Sequence, residues 1–203
     1  AWKQYEEAVR IDDRNAGLRH SAGSMAMMAG EIDAALEQFQ TAARLDSRQA
    51  QFPLFAAQLL MQQQKLDEAK AAVVRAMEID PNEPIAHATL AMIESTQGNH
   101  AAALERIAEA RRISPDDLGL RAQHAKVLRK GDQPQRALEL LIGLSEGERS
   151  LESVAGELAA AYQGMGDFKK AAAAWELTFR ARIEANPRRA FRPALEVAKM
   201  LHL

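Results

Sequence analysis

Small and large apolar residues recur along the chain with a period of 34 residues. One position of the repeat is always alanine: Ala1, Ala35, Ala69, Ala103, Ala137 and Ala171. Another small residue stands twelve positions before it, at Gly23, Ala57, Ala91, Ala125 and Ala159. A large apolar residue follows the alanine by four positions, at Tyr5, Phe39, Val73, Ile107, Leu141 and Trp175. Because independent positions share one period, the sequence indicates an internal structural repeat.

Each repeat is predicted to be a pair of packed helices. Small residues let two helices approach closely, and the large residue fills the groove between them. Gly30, Gly98 and Gly166 fall between the two helices, where glycine easily adopts the left-handed conformation that ends a helix. Pro81 and Pro115 follow the second helix, which proline cannot continue. Aromatic residues make up only 5% of the chain, which argues against a β-sandwich or barrel and favours an all-α fold.

On these positions the sequence resembles the tetratricopeptide repeat family. The matching stretches are Gly-Asp-Phe-Lys-Lys-Ala at 166–171, Leu-Asp-Glu-Ala at 66–69 and Ile-Asp-Pro-Asn at 79–82. The resemblance covers residues 1–185 and implies a right-handed superhelical solenoid of antiparallel helix pairs. It divides a single solenoid into a partial repeat 1–15, repeats 16–49, 50–83, 84–117, 118–151 and 152–185, and a C-terminal helical segment 186–203. Because both ends are apolar rather than polar caps, we expect a fragment of a longer chain, with a self-association surface as the alternative.

The last two repeats depart from the pattern. In the fifth, Gly131 falls one place early and Pro134 is suited to the first turn of the second helix. That helix is expected to carry Gly143 and Gly147, and residues 145–150 are predicted to be a loop. In the sixth, the Asn186-Pro187 stop comes late, which predicts a long helix over 169–185 and a further helix over 193–203. If the array has a soft joint, we place it in the fifth repeat.

The composition offers little to catalysis. The net charge is −2, so no basic excess favours nucleic acid. No apolar stretch reaches the roughly 18 residues of a membrane span, and no signal peptide is recognisable. The chain has no cysteine, and its five histidines lack the spacing of a helical zinc pair. With no phosphate-binding loop or nucleophile elbow, we predict no enzyme, no metal and no cofactor. The cytoplasm and the periplasm both remain open.

The resemblance implies that the first helix of each pair lines a concave groove. The predicted groove residues are Met27, Met28, Leu54, Gln58, Met61, Met92, Lys126, Arg129 and Lys130. The methionines suit varied apolar partners, or they simply pack between repeats. The three cations could hold an acidic segment or a terminal carboxylate, or form a solvated face near Glu146, Glu148 and Glu157. Chaperone-adaptor members clamp a C-terminal carboxylate with Lys and Asn at set places, and no repeat here carries that pair.

We therefore predict a non-catalytic scaffold that binds a peptide or protein segment in the groove. The alternative is a non-catalytic arm of a larger enzyme or of an envelope or secretion machine that exports polysaccharide. Binding of RNA ranks low because only the fifth repeat is basic, and direct membrane insertion is not expected. A homo-oligomer through the apolar terminal helices is possible. The helix at 193–203 could also fold back into the chain's own groove.

Overall fold

A computed structural model describes residues 2–185, and every regular element in that range is an α-helix. The helices are α1 Trp2–Ile11, α2 Ala16–Ala29, α3 Ile32–Leu45, α4 Gln51–Gln62, α5 Leu66–Ile79, α6 Pro84–Thr96, α7 His100–Ile113, α8 Leu118–Lys130, α9 Pro134–Ile142, α10 Glu146–Arg149, α11 Glu152–Gly164 and α12 Phe168–Ala185. The predicted all-α fold of helix pairs is thereby confirmed. The stop at Asn186-Pro187 and the helix predicted over 193–203 lie outside the described residues.

The chain divides into two compact units, residues 1–93 and residues 94–203. In unit 1, α1 packs on α2, and α2 to α5 pack each on the next along the chain. Val9 of α1 is already buried in this unit, which leaves less of that helix for self-association. In unit 2, α7 packs on α8, α8 on α9, and α11 contacts α8, α9 and α12. Within each unit, the consecutive helices named here are therefore also neighbours in space, as the repeat requires.

The periodic small and large residues form the core. Ala35, Ala69, Ala103, Ala137 and Ala171 are fully buried, as are Ala57, Ala91, Ala125 and Ala159. Phe39, Val73, Ile107 and Leu141 are among the largest fully buried side chains. At Gly23 a Cβ atom would lie 2.8 Å from Cε1 of Phe39, so the close approach of α2 to α3 there depends on glycine. The helix-packing interpretation of these positions is confirmed.

The turn between paired helices contains a left-handed residue at every 34th position. Gly30, Gly98 and Gly166 have φ angles of 83°, 85° and 77°, as predicted. At the same place in the other two described pairs stand Gln64 and Asp132, with φ angles of 61° and 59°. The sequence did not reveal these two, because neither is glycine. Gly131 has a φ of −85°, so the glycine displaced by one place does not take the left-handed position.

The fifth repeat differs from its predicted form after Ile142. Pro134 does occupy the first turn of α9, but Gly143 caps that helix at its C-terminus. The expected continuation of the helix to Gly147 was therefore wrong. The loop predicted over 145–150 was also wrong, because it contains the one-turn helix α10. Ser145 starts that turn through a capping box, in which Ser145 N donates to Glu148 Oε2 at 2.8 Å and Glu148 N donates to Ser145 Oγ at 3.3 Å. The long last helix is confirmed as the 18 residues of α12.

Candidate protein-binding surfaces

The first helices of unit 1 expose methionine at the end of α2. Met27 is 42% exposed and Met28 77% exposed, so neither is consumed by packing between repeats. Gln58 of α4 is exposed, whereas Met61 of α4 is half-buried against the core. Met92 of α6 is likewise half-buried. These side chains combine solvent access with polarisable apolar surface, which can adapt to different partners.

Leu54 lies elsewhere than the predicted groove implies. Its side chain is only 4% exposed and belongs to the apolar core of unit 1. The reason is that α4 packs on α3 on one side and on α5 on the other, so little of its circumference reaches solvent. Leu54 therefore contributes stability to this unit, while the other eight residues stay a prediction.

An aromatic cluster around His20 joins α2, α3 and α4. The imidazole centroid lies 4.9 Å from Phe55, 5.5 Å from Phe52 and 5.6 Å from Phe39. The rings of Phe39 and Phe55 stack at 5.1 Å. Burial among these rings lowers the pKa of His20, since the charged imidazolium is desolvated there. His20 is therefore part of the aromatic packing between α2, α3 and α4.

The predicted cations lie together at the C-terminal half of α8 in unit 2. Arg129 Nε donates to Glu157 Oε2 of α11 at 3.2 Å, and both side chains are half-buried. Lys130 Nζ donates to Thr96 Oγ1 at 3.3 Å. Burial lowers the pKa of Lys130, as do the charges of Lys126 and Arg129, while Glu157 opposes them. The positive charge of Lys126, Arg129 and Lys130 is therefore only partly neutralised.

Of the three carboxylates considered as neutralising partners, Glu157 alone forms an ion pair with these cations among the described residues. Glu148 instead caps α10, and its hydrogen bonds to Ser145 hold the pKa of its carboxyl below the usual range. The face formed by Lys126, Arg129 and Lys130 keeps a positive excess, which favours an acidic partner.

Unit 1 also contains a recess of about 510 Å³ bounded by α3, α4 and α5, which we call the α3–α5 recess. Its floor is apolar, formed by Pro53, Ala56 and Leu60 of α4. Arg44, Glu68, Arg75 and Glu78 stand around it, so both charge signs are present. In the sequence these residues have no distinguishing signal, because the repeat gives them the pattern of ordinary packing positions.

Unit 2 contains a second group of cations that the sequence pattern alone did not indicate. Arg111 of α7, Arg121 and His124 of α8, and Arg136 of α9 form what we call the cationic cluster. Arg111 Nη1 and His124 Nδ1 are 3.3 Å apart. Burial first, and then the charges of Arg111 and Arg136, lower the pKa of His124 to about 4. The His124 side chain is half-buried.

Within residues 2–185, no three His, Asp or Glu side chains converge as ligands for a metal ion. In the same range, no helix combines the length and the apolar character needed to cross a bilayer.

Comparison with known proteins agrees with the helix-pair fold. Residues 26–93 match a family model described as a tetratricopeptide repeat. No curated protein matches the sequence of this chain. Among solved structures, a thermophilic TPR protein of Thermus thermophilus has a TM-score of 0.77 at 19% identity, over 93% of this chain and 100% of the other.

Two further solved structures have the same architecture. A tetratricopeptide repeat protein of Parabacteroides merdae has a TM-score of 0.72 at 15% identity, over 100% of this chain and 85% of its own. YrrB, described as a TPR protein with an unusual peptide-binding site, has a TM-score of 0.58 at 16% identity over the whole of both chains. At such low identity the likeness is one of fold.

Proposed function

We propose that this chain, a tetratricopeptide repeat protein, is a non-catalytic scaffold that binds a segment of another protein on the exposed faces of its first helices. The single observation that carries the proposal is the exposure of Met27 and Met28 at the end of α2. Two adjacent methionines in solvent are poorly explained by folding, because they bury little apolar surface. They are well suited to a partner that covers them.

The charges in unit 2 add a preference for the partner's composition. Lys126, Arg129 and Lys130 share one stretch of α8, where Glu157 forms an ion pair with Arg129. A segment with acidic residues would gain favourable electrostatics there, and this matters most for specificity and association rate. In unit 1 the exposed methionines therefore favour a partner with apolar side chains, and in unit 2 α8 favours a partner with carboxylates.

The structural likeness to YrrB supports a peptide ligand by analogy, since that protein is described as having a peptide-binding site. The analogy concerns the class of ligand only. Which residues of the present chain would contact a peptide is part of the proposal, and it rests on the exposure and charge given above.

The test begins with a random dodecamer library displayed on phage and selected against the intact chain. Enriched peptides are synthesised with a fluorophore, and their affinity is measured by fluorescence anisotropy. We expect Met28→Asp to weaken binding by roughly tenfold, because a charge would face the peptide's apolar side chains. Lys126→Glu is expected to weaken the more acidic peptides and to flatten their salt dependence.

Val74→Asp is the matched control. Val74 is 41% exposed, nearly the same fraction as the 42% of Met27. It lies on α5, which is the second helix of its pair. It should leave affinity within about twofold if the first helices bind the peptide. Equal weakening by Met28→Asp and Val74→Asp, or no enriched peptide at all, would contradict the proposal.

A further inference from the structure

The four residues of the cationic cluster come from three consecutive helices of unit 2. Arg111 lies in the last turn of α7, Arg121 and His124 lie one turn apart on α8, and Arg136 lies in the first turn of α9. Residues three apart on a helix share a face, so Arg121 and His124 point to the same side of α8. This face differs from that of Lys126, Arg129 and Lys130, because Lys126 is two residues beyond His124, about 200° around the helix.

Two of the arginines hold buried donors that no side chain or backbone group of the described residues accepts. Arg111 Nε and Arg121 Nε are buried from solvent, and neither has a hydrogen-bond acceptor among the described residues. Arg111 is oriented by His124, whose Nδ1 lies 3.3 Å from its Nη1. Buried polar atoms are nearly always paired, so two orphan guanidinium donors in one cluster indicate a missing acceptor.

The electrostatics of the cluster agree with that interpretation. Burial lowers the pKa of Arg111, and the charge of Arg121 lowers it further. The charges of Arg111 and Arg136 likewise disfavour protonation of His124. Glu148 is within electrostatic reach of Arg121, but its carboxylate is bonded to Ser145 at the start of α10. Like charges held together in this way are stabilised by an anion.

The repeat also indicates where such an anion would sit. Arg111, Arg121, His124 and Arg136 stand 68 residues, or two repeats, after Ala43, Pro53, Ala56 and Glu68. Those four residues line the α3–α5 recess of unit 1. Within each unit the corresponding helices are α3, α4 and α5, and α7, α8 and α9. The cationic cluster thus occupies positions that form a ligand-sized concavity elsewhere in the same chain.

We propose that the cationic cluster of Arg111, Arg121, His124 and Arg136 is a binding site for a phosphate-type oxyanion. The guanidinium group presents parallel donors that match phosphate oxygens, and a dianion can accept from several arginines at once. A carboxylate has one charge and two oxygens, so it would accept from fewer of these guanidinium donors than a phosphate dianion does. The proposal is independent of peptide binding by the first helices.

Inorganic phosphate is the first probe, with sodium chloride and sodium acetate at matched ionic strength as references. In proton–nitrogen NMR spectra of the intact chain, phosphate should shift the Nε–H signals of Arg111 and Arg121. The melting temperature should rise by about 4 °C at phosphate concentrations well above Kd, because only the folded state binds. Acetate should produce much smaller changes in both measurements.

Variants then locate the site. Arg121→Gln and Arg136→Gln should each weaken phosphate binding by roughly tenfold or more, since each removes a charge-assisted donor. Arg112→Gln is the matched control, because Arg112 neighbours Arg111 but is exposed and pairs with Glu109 at 2.7 Å. It should change the affinity by less than about twofold. The wild-type NMR titration does not depend on any variant folding.

A comparison of inorganic phosphate with glycerol 3-phosphate distinguishes the sources of the anion. Tighter binding of the monoester assigns the site to a phosphorylated small molecule, and tighter binding of the free ion assigns it to phosphate itself. Absence of any Nε–H shift, or equal loss in Arg112→Gln, would overturn the proposal. Loss on Lys126→Gln instead would move the anion to the other face of α8. None of these results bears on the phage-selected peptides.

Discussion

The α3–α5 recess of unit 1 and the cationic cluster of unit 2 occupy the same repeat positions but differ in chemistry. In unit 1, Ala43 and Ala56 leave an open space over an apolar floor. In unit 2, Arg111 and His124 stand at those positions and bring their side chains within 3.3 Å of each other. The helix-pair scaffold tolerates both, because Ala56 is buried at 3% exposure whereas the larger His124 side chain is only half-buried and reaches solvent. Function can therefore diverge between repeats while the core stays constant.

The largest effect on stability is expected at the buried repeat positions that the two units share. Phe39 of unit 1 and Leu141 of unit 2 occupy the same position of the 34-residue repeat, and both are fully buried. Phe39→Ala should lower the free energy of unfolding by ~3–5 kcal/mol, and Leu141→Ala by ~2–4 kcal/mol, because both leave a cavity. Urea denaturation measures both. Phe39 should cost more, since its ring also contacts His20 and Phe55.

Val74→Ala, at an exposed position, is the reference for these two variants and should cost less than ~0.5 kcal/mol. Hydrogen exchange then reports which unit loses protection in each core variant. The shared-core interpretation fails if Phe39→Ala costs no more than Val74→Ala.

The next effect comes from the residue that distinguishes the two regions, His124. Its folded-state pKa of about 4 lies below its ordinary 6.5. As the pH falls below 6.5, the His124 imidazole binds a proton in the unfolded chain but stays neutral in the folded chain. The free energy of unfolding therefore falls between pH 6.5 and 4. Allowing for its partial exposure, we expect a loss of about 1–2 kcal/mol. His124→Ala introduces the residue type that unit 1 has at the equivalent position, Ala56. It should remove this part of the pH dependence.

An NMR titration of the His124 imidazole checks the cause directly. The midpoint should lie near 4 in the wild type. It should rise in Arg111→Gln and Arg136→Gln, because each removes a positive charge that disfavours the imidazolium. A wild-type midpoint at the ordinary value for histidine would contradict the burial of this side chain.

A smaller effect tests the turns, one in each unit. Gln64 and Asp132 adopt the left-handed conformation that the other pairs give to glycine. Gln64→Gly should raise the free energy of unfolding by about 1 kcal/mol, because it relieves the contact between Cβ and the following carbonyl. Asp132→Gly should gain less, since aspartate tolerates this conformation better.

Gln62→Gly is the matched control for the turn variants. Gln62 is exposed and lies in the last turn of α4, two residues before Gln64. There glycine should lower stability by up to about 1 kcal/mol. Thermal and urea unfolding give the signs. The interpretation of Gln64 as strained is wrong if Gln64→Gly and Gln62→Gly change the free energy of unfolding in the same direction.

The fold was largely predictable because the same sequence signal occurs in every repeat. Ala69 and Val73 are weak signals alone, but the same pair of residue types recurs at every period, so chance agreement is excluded. The turns at Gln64 and Asp132 were not predictable, since the backbone there follows the packing of the helices rather than local preference. The helix α10 was missed although Ser145 and Glu148 have the sequence spacing of a capping box, which starts that helix in the structure.

The candidate sites were less predictable for a physical reason. Exposure of Met28 and burial of Leu54 depend on which neighbouring helix covers each residue, and a single sequence pattern does not contain that information. The cationic cluster joins residues 25 positions apart, from Arg111 to Arg136. Only the period connects them, and the signal that could have found them is the comparison of each position with its equivalent 68 residues away.

The smallest effect concerns a pair of arginines that the two units share. Arg44 donates to Thr41 Oγ1 at 2.7 Å, and 68 residues later Arg112 donates to Glu109 Oε1 at 2.7 Å. Both arginines are exposed. Replacement of either by Gln should shift the melting temperature by less than about 1 °C, because exposed pairs gain little over hydration. The two should nevertheless differ in salt dependence: 1 M NaCl should abolish the Arg112→Gln effect by screening the ion pair at about 3 Å Debye length, and should leave Arg44→Gln unchanged. A large shift in Arg112→Gln would mean that this guanidinium supports the cationic cluster, and the contrast between the two regions would then extend beyond Arg111, Arg121, His124 and Arg136.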